Sequence, residues 1–485
     1  MKKQFGILCH VSSLDSEFGI GDFGKASFDF VDFLSQNSIN VWSILPLSET
    51  NEHNCPYGSH CSFALDSRFV DLEGLLSKGL IEKNDLQKLK ANANTKKVNY
   101  AFVVQEKNKL LDTAYSNLPQ KDKKLLEIYT KNHKIYYEFA YFKTLLQVFD
   151  TNDWRKLQKK YICADEQTKF AFVEKYKDVF LKFVFIQKIL HEQWAKVKKY
   201  ANSKNIKIIG DLPIYCEPTS FDVFFAPEYY KLDKQYNPTV LGGVPGDDFK
   251  KSGQNWGTCI YNWQRIAKEN YKFFVDKISN IFSMYDIVRL DHFNGYCDHF
   301  EIEATSKDNV FGKWVKAGGK ALFAELEKHF NLNKFVVEDL GNNRPDSIET
   351  KNAYNLTGMS VLQFANSPKS AYLPQNASKN TVFYLGTHDN NTFVGFLNSL
   401  NSKQKSEFCN LVDVKKHDNK TVAIECMKKV LQTKCKFKIV TAQDLLFQDS
   451  SCRMNTPGQT ENCWDYKLPK NYKTIISNTI KLLYQ

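Results

Sequence analysis

Arginine is nearly missing from this 485-residue chain. Of its 66 basic residues only six are arginine: Arg68, Arg155, Arg265, Arg289, Arg344 and Arg453. The rest are lysine, set against 54 acids, for a formal net charge of +12. A positive surplus invites a nucleic-acid partner. Base reading and bidentate phosphate gripping, however, draw on arginine. The lysines also interleave with acids along the whole chain, as in Lys121-Asp122-Lys123-Lys124. The surplus reads as solvated lysine faces, and no nucleic-acid partner is expected.

Twelve cysteines occur, but no CxxC pair. The nearest pairs, Cys55/Cys61, Cys426/Cys435 and Cys452/Cys463, are spaced too widely for the usual zinc sites. Several adjoin apolar residues, as in Ile7-Leu8-Cys9, where a free thiol packs as a small hydrophobe. This is the cysteine usage of a reducing compartment, so a cytoplasmic location is expected. No apolar run reaches 18 residues, so no membrane span or membrane partner is expected. No signal segment precedes the strand-like run Phe5 to Cys9. HExxH is absent and His292, His299 and His388 lack a usual ligand spacing, so the expected metal is none. The turn Gly19-Ile20-Gly21-Asp22 is too short and too acidic to cradle phosphate, and no cofactor is expected.

What is present is material for a large core. The chain is 42% hydrophobic and 25% charged, with 7 Trp, 24 Tyr and 37 Phe. The length fits three ordinary domains or one large barrel with insertions. Eight short apolar runs stop abruptly or give way to polar residues: Phe5 to Cys9, Val41 to Leu45, Ile206 to Gly210, Ile287 to Leu290, Phe335 to Val337, Ser360 to Phe364, Val382 to Gly386 and Phe437 to Val440. Continuous runs of this length suit strands buried on both faces. Amphipathic helical stretches separate them, at Lys25 to Ser35, Phe183 to Tyr200, Asn262 to Phe282 and Gly319 to Phe330. Such alternation predicts a parallel sheet or barrel. Residues 72–178 break the rhythm and read as a lysine-rich helical insertion between the second and third strands. Residues 213–262 are rich in Gly, Pro, Asp and aromatics, and read as a loop-rich insertion walling a site.

In a (β/α) barrel the chemistry lies at the C-terminal strand ends. Here those ends carry Asp211, Asp291, Glu338 and Asp389. Any one could be a salt bridge or a helix cap; four in series argue for use. Arg289 and Asp291 are two apart on one strand and so share a face. The guanidinium is expected to keep Asp291 ionised and low in pKa, which makes it a candidate nucleophile. Glu338, near other carboxylates, is expected to be raised, a candidate acid. One low and one high carboxylate is the pairing that glycoside cleavage requires. His292 and His388 are candidates for hydrogen bonding to a polar substrate. The residues alone do not choose between Asp211 and Asp389 as a third acid.

Together these segments resemble the 4-α-glucanotransferases, also called amylomaltases or disproportionating enzymes, a branch of the α-amylase superfamily. The matches run in order from Gly6-Ile-Leu-Cys-His-Val-Ser-Ser-Leu14 through Cys55-Pro-Tyr-Gly-Ser59, Ile209-Gly-Asp-Leu-Pro-Ile214 and Gly253-Gln-Asn-Trp-Gly257. They continue through Val288-Arg-Leu-Asp-His-Phe293, Val337-Glu-Asp-Leu-Gly341 and Gly386-Thr-His-Asp-Asn-Asn-Thr392 to Arg453-Met-Asn-Thr-Pro-Gly458 and Trp464. The ordered set is specific where each piece is modest.

The resemblance implies an α/β fold, a (β/α)8 TIM barrel with inserted, mainly helical subdomains. Residues 1–485 would then form one catalytic barrel domain. It implies transfer of α-1,4-glucan segments to the 4-hydroxyl of an acceptor sugar by a retaining double displacement. Asp291 matches the family nucleophile, Glu338 its general acid/base and Asp389 its third carboxylate. Arg289, Asp211 and His388 match residues around the broken bond. Tyr57, Asp247, Gln254, Trp256 and Asn455 fall on glucan-contacting segments; Trp256 would stack on a sugar face unless it is packed in the core. Retention implies Asp291 and Glu338 carboxyls about 5–5.5 Å apart. The sequence departs from the family at Val11, Cys55, Gly246 and Asp248, and the last two bear on acceptor preference. An α-1,4-glucan hydrolase and a non-catalytic glucan-binding relative remain alternatives, and no residue signals the oligomeric state.

Overall fold

A computed structural model describes residues 4–246, 253–306, 311–415 and 417–485. Its strands are β1 (Phe5–Leu8), β2 (Val41–Ser43), β3 (Lys207–Leu212), β4 (Val240–Val244), β5 (Gln254–Cys259), β6 (Ile287–Leu290), β7 (Asp298–Glu303), β8 (Gly312–Lys316), β9 (Phe335–Val337), β10 (Gly358–Val361), β11 (Thr381–Tyr384) and β12 (Phe437–Thr441). Eight of them form one parallel sheet in the order β10, β11, β12, β1, β2, β3, β6, β9. Val336 bridges Thr357 across the seam, and Val337 N–H donates to Thr357 O at 2.8 Å. The sheet is therefore a near-closed barrel. Strands β1, β2, β6, β9, β10, β11 and β12 are buried at every position. That is why their sequences are mostly apolar rather than strictly alternating.

The eight barrel strands fall on the eight apolar runs. The largest shift is at β10, which ends at Val361 and passes into a 3-10 turn, Leu362–Phe364. The apolar run continues through that turn, so hydrophobicity does not mark where the strand stops. Helices Lys25–Gln36 and Gly319–His329 lie where periodicity predicts them, and Phe183 to Tyr200 lies inside the long helix Lys177–Ser203. The stretch from Asn262 is two helices, Trp263–Lys268 and Lys272–Met284. They are broken at Asn270 and Tyr271, which take left-handed φ of 51° and 57°. The apolar stripe runs on across this break, so periodicity hides it.

Between β2 and β3 the chain is mostly helical, including Tyr100–Ser116, Gln120–Asn132 and Lys134–Val148. After β3 it builds a second, antiparallel sheet in the order β5, β4, β7, β8. Sequence patterning does not show this sheet, because strands such as Gln254–Cys259 are polar and contain glycine. Tryptophans tie neighbouring elements together. Trp42 on β2 donates to Cys9 O at 2.7 Å, and Trp194 on the long helix donates to Met284 O at 2.9 Å. No helix among the described residues is long and apolar enough to cross a membrane.

Candidate active site

Strand register assembles the acids. Asp211 on β3 lies opposite Arg289 on β6, and Leu290 on β6 lies opposite Val337 on β9. Period two carries Asp291 to the same side as Arg289, and Glu338 is the first residue past Val337. The ladder continues beyond the strand ends: Asp291 N–H donates to Leu212 O at 3.1 Å and Glu338 N–H to Leu290 O at 3.0 Å. Close packing supports this arrangement from below. A Cβ at Gly210 would meet the Tyr285 ring at 2.2 Å, so the residue before Asp211 must be glycine.

Arg289 is the hub. Its Nη1 donates to Asp211 Oδ2 at 2.6 Å and to Asp291 Oδ1 at 3.2 Å, and its Nη2 lies 2.9 Å from Glu338 Oε2. The guanidinium is 7% exposed, whereas Asp291 and Glu338 are about a fifth open to the cleft at 20% and 21%. One cation thus serves three acids. The pKa expectation for Asp291 is reversed. Burial first, then the neighbouring Glu338 charge, pushes the Asp291 carboxyl well above the usual carboxylate range, while Arg289 pulls it down. Arg289 does not hold it low because burial and the Glu338 charge outweigh its pull.

Glu338 is fixed from a second direction. His292, directly after Asp291, has a left-handed φ of 44°, uncommon outside glycine. This turn points its backbone N–H at Glu338 Oε2, 2.7 Å away.

Asp389 stands on the loop after β11. Burial raises its carboxyl, but the His388 charge and hydrogen bond, the Asn455 hydrogen bond and the Arg289 charge together hold it well below the usual range. Asn455 Nδ2 donates to Asp389 Oδ1 at 2.5 Å, and Arg453 Nη2 donates to the Asp389 carbonyl at 2.5 Å. Tyr57 closes the floor. Its hydroxyl donates to Asp211 Oδ2 at 2.7 Å, and its ring stacks on His388 at 5.1 Å with 11° between planes. Nearby, burial pushes the Cys55 thiol up to about 12, so it is not a nucleophile at neutral pH.

Trp256 and Gln254 lie on β5. Trp256 is half-buried, its Nε1 donates to Gln254 Oε1 at 3.2 Å, and it meets His292 edge-on at 4.9 Å. It packs against the edge of the core without being enclosed by it. Asp247 lies outside the described residues. The structure adds Trp464 to the group: its ring lies 5.9 Å from Tyr57 and 6.0 Å from His388. The sequence places Trp464 in a family-matching segment, but only these contacts bring it to the candidate site.

A carboxyl pair on one guanidinium, beside a third acid held ionised and a partly exposed tryptophan, can donate a proton, attack an electron-poor carbon and stabilise developing positive charge. Comparison with known proteins agrees. Residues 9–473 match the model of a family described as 4-alpha-glucanotransferase. The chain is 34% identical over 483 residues to the 4-alpha-glucanotransferase of Streptococcus pneumoniae serotype 4, covering 98% of this chain and 94% of that protein. It is 33% identical over 470 residues to the 4-alpha-glucanotransferase of Aquifex aeolicus, covering 96% of each. Among solved structures, the amylomaltase from Streptococcus agalactiae in complex with acarbose superposes with a TM-score of 0.93 at 30% identity, covering all of both chains.

Proposed function

The chain belongs to the 4-alpha-glucanotransferase family, and we propose that it moves segments of α-1,4-glucan onto the 4-hydroxyl of an acceptor glucose or maltooligosaccharide. The observation that carries this reading is the convergence of Asp211, Asp291 and Glu338 on Arg289 at adjacent strand ends.

Glu338 protonates the leaving glycosidic oxygen while Asp291, as carboxylate, attacks the anomeric carbon. A covalent glucosyl-enzyme forms with inversion. Glu338, now a base, takes the proton of the acceptor 4-hydroxyl, and attack on the intermediate restores the original configuration. That both carboxylates lie against one guanidinium supports the short separation of a retaining enzyme. Asp389, held ionised, grips sugar hydroxyls and favours the flattened ring of the transition state. Arg289, Asp211 and His388 line the subsite of the broken bond, with Tyr57, Gln254, Trp256 and Asn455 extending the glucan path. Its place would be maltodextrin, glycogen or starch metabolism in the cytoplasm; the twelve free cysteines support a reducing compartment.

Incubation with maltotriose tests the reading. Transfer gives glucose plus a ladder of maltodextrins longer than the substrate. Glucose and maltose alone would make the protein a hydrolase, and no turnover would make it a binding relative.

A further inference from the structure

Tyr57 sits on a segment with little regular structure of its own. The chain from Asn51 to Gly58 turns back through Asn51 N–H to Gly58 O at 2.9 Å and Asn54 N–H to Asn51 O at 3.0 Å, with Asn54 at a left-handed φ of 58°. Yet Tyr57 keeps its hydroxyl 2.7 Å from Asp211 and its ring stacked on His388. The hairpin needs support from outside.

Arg68 supplies it. Its guanidinium is buried and meets a different partner on each edge. Nε donates to Asp66 Oδ2 at 2.8 Å, and Nη2 grips the same carboxylate. Toward the hairpin, Nη1 donates to Asn54 Oδ1 at 2.7 Å and Nη2 to Thr50 Oγ1 at 2.7 Å. The Tyr100 ring covers the guanidinium face at 4.6 Å. From the same helix, Tyr100–Ser116, the buried Lys107 donates to the Arg68 carbonyl at 2.6 Å. Arg68 is thus held by Asp66 and by a helix of the insertion, and it holds the base of the Tyr57 hairpin.

Stability alone does not explain this. A buried ion pair is weak evidence for stability, since a well-packed apolar replacement is often as stable. Lysine, with one nitrogen, could not reach three acceptors on two sides. We propose that Arg68 is a positioning residue for Tyr57, and that the helix Tyr100–Ser116 is thereby part of the active-site scaffold. The inference rests on reading Tyr57 as a residue of the glucan cleft.

The test removes the receiving side and leaves Arg68 in place. Asn54→Gly costs no backbone strain, because glycine adopts a left-handed φ freely. Asn54→Gly with Thr50→Val spares the Arg68–Asp66 pair. This double variant is expected to lower kcat/KM for maltotriose about tenfold, as small misplacements in cleft residues do, with Tm nearly unchanged. Arg68→Lys, which keeps the charge, is expected to fall between it and the parent. The same two substitutions in a Tyr57→Ala background are expected to cost less than about twofold, because nothing remains to position. An unchanged kcat/KM in the double variant, or an equal loss with and without Tyr57, would overturn the inference while leaving the cleft reading intact. If Tyr57→Ala alone changed nothing, the cleft reading would fail and this inference with it.

Discussion

Asp211 and Arg289 stand opposite each other in register on adjacent parallel strands, and Arg289 Nη1 donates to Asp211 Oδ2 at 2.6 Å. Asp211 anchors one edge of the guanidinium so that the remaining donors face Asp291 and Glu338. A planar fork can serve three acids at fixed angles, and an ammonium cannot. In a lysine-dominated chain this position keeps arginine. Arg289→Lys is therefore expected to lower kcat/KM for maltotriose about 10²–10³-fold, the range for losing a preorganised charged contact. Activity within a few-fold of the parent would show that only the charge matters.

The raised Asp291 carboxyl gives a pH dependence with a defined sign. In the proposed role of nucleophile Asp291 acts as carboxylate, so kcat/KM is expected to be low while Asp291 holds its proton and to rise as pH passes its pKa. Burial and the Glu338 charge place that rise above the ordinary value of about 3.9. The Asp211 charge also pushes Asp291 upward. Asp211→Asn removes it and frees the Arg289 donor, so the acid limb should move to lower pH even as the maximal rate falls. A pH–rate profile of both proteins checks this; a limb that stays in place or moves upward contradicts it.

Asp444 offers a stability counterpart away from the cleft. It follows β12, is fully buried, and accepts from Phe393 N–H at 2.6 Å. Burial pushes its carboxyl up to about 7. The unfolded value is about 3.9, so the folded state binds the proton more tightly. The resulting stability is full below about pH 4 and is lost as pH rises to about 7. Asp444→Asn keeps an acceptor for Phe393 and cannot titrate. From pH 5 to 7.5, the Tm of the parent should fall by a few degrees relative to the variant. Parallel Tm curves would show that Asp444 ionises normally.

The barrel was legible because its strands are buried on both faces, which leaves short, predominantly apolar runs at Val41, Ile287 and Phe437. Asp291 and Glu338 could be picked out because they directly follow such runs and because Arg289 sits two residues before one of them. The antiparallel sheet was not legible, since β5 is polar and gains its order from pairing with β4. The helix break at Asn270 and Tyr271 was hidden for a related reason: backbone conformation changes there while the apolar stripe does not. The direction of the Asp291 shift was missed because sequence spacing shows one arginine beside one aspartate. It shows neither the burial of the Asp291 carboxyl nor that Asp211 and Glu338 come to share that arginine.

In the proposed mechanism Asp291 forms a bond to the substrate. A glucosyl donor with a good leaving group and a fluorine that slows turnover should trap the intermediate. Peptide mapping by mass spectrometry then locates the sugar. One glucosyl unit is expected on the peptide containing Asp291, and none in Asp291→Asn. A sugar attached at Glu338 or Asp389, or turnover of maltotriose by Asp291→Asn at the parent rate, would contradict it.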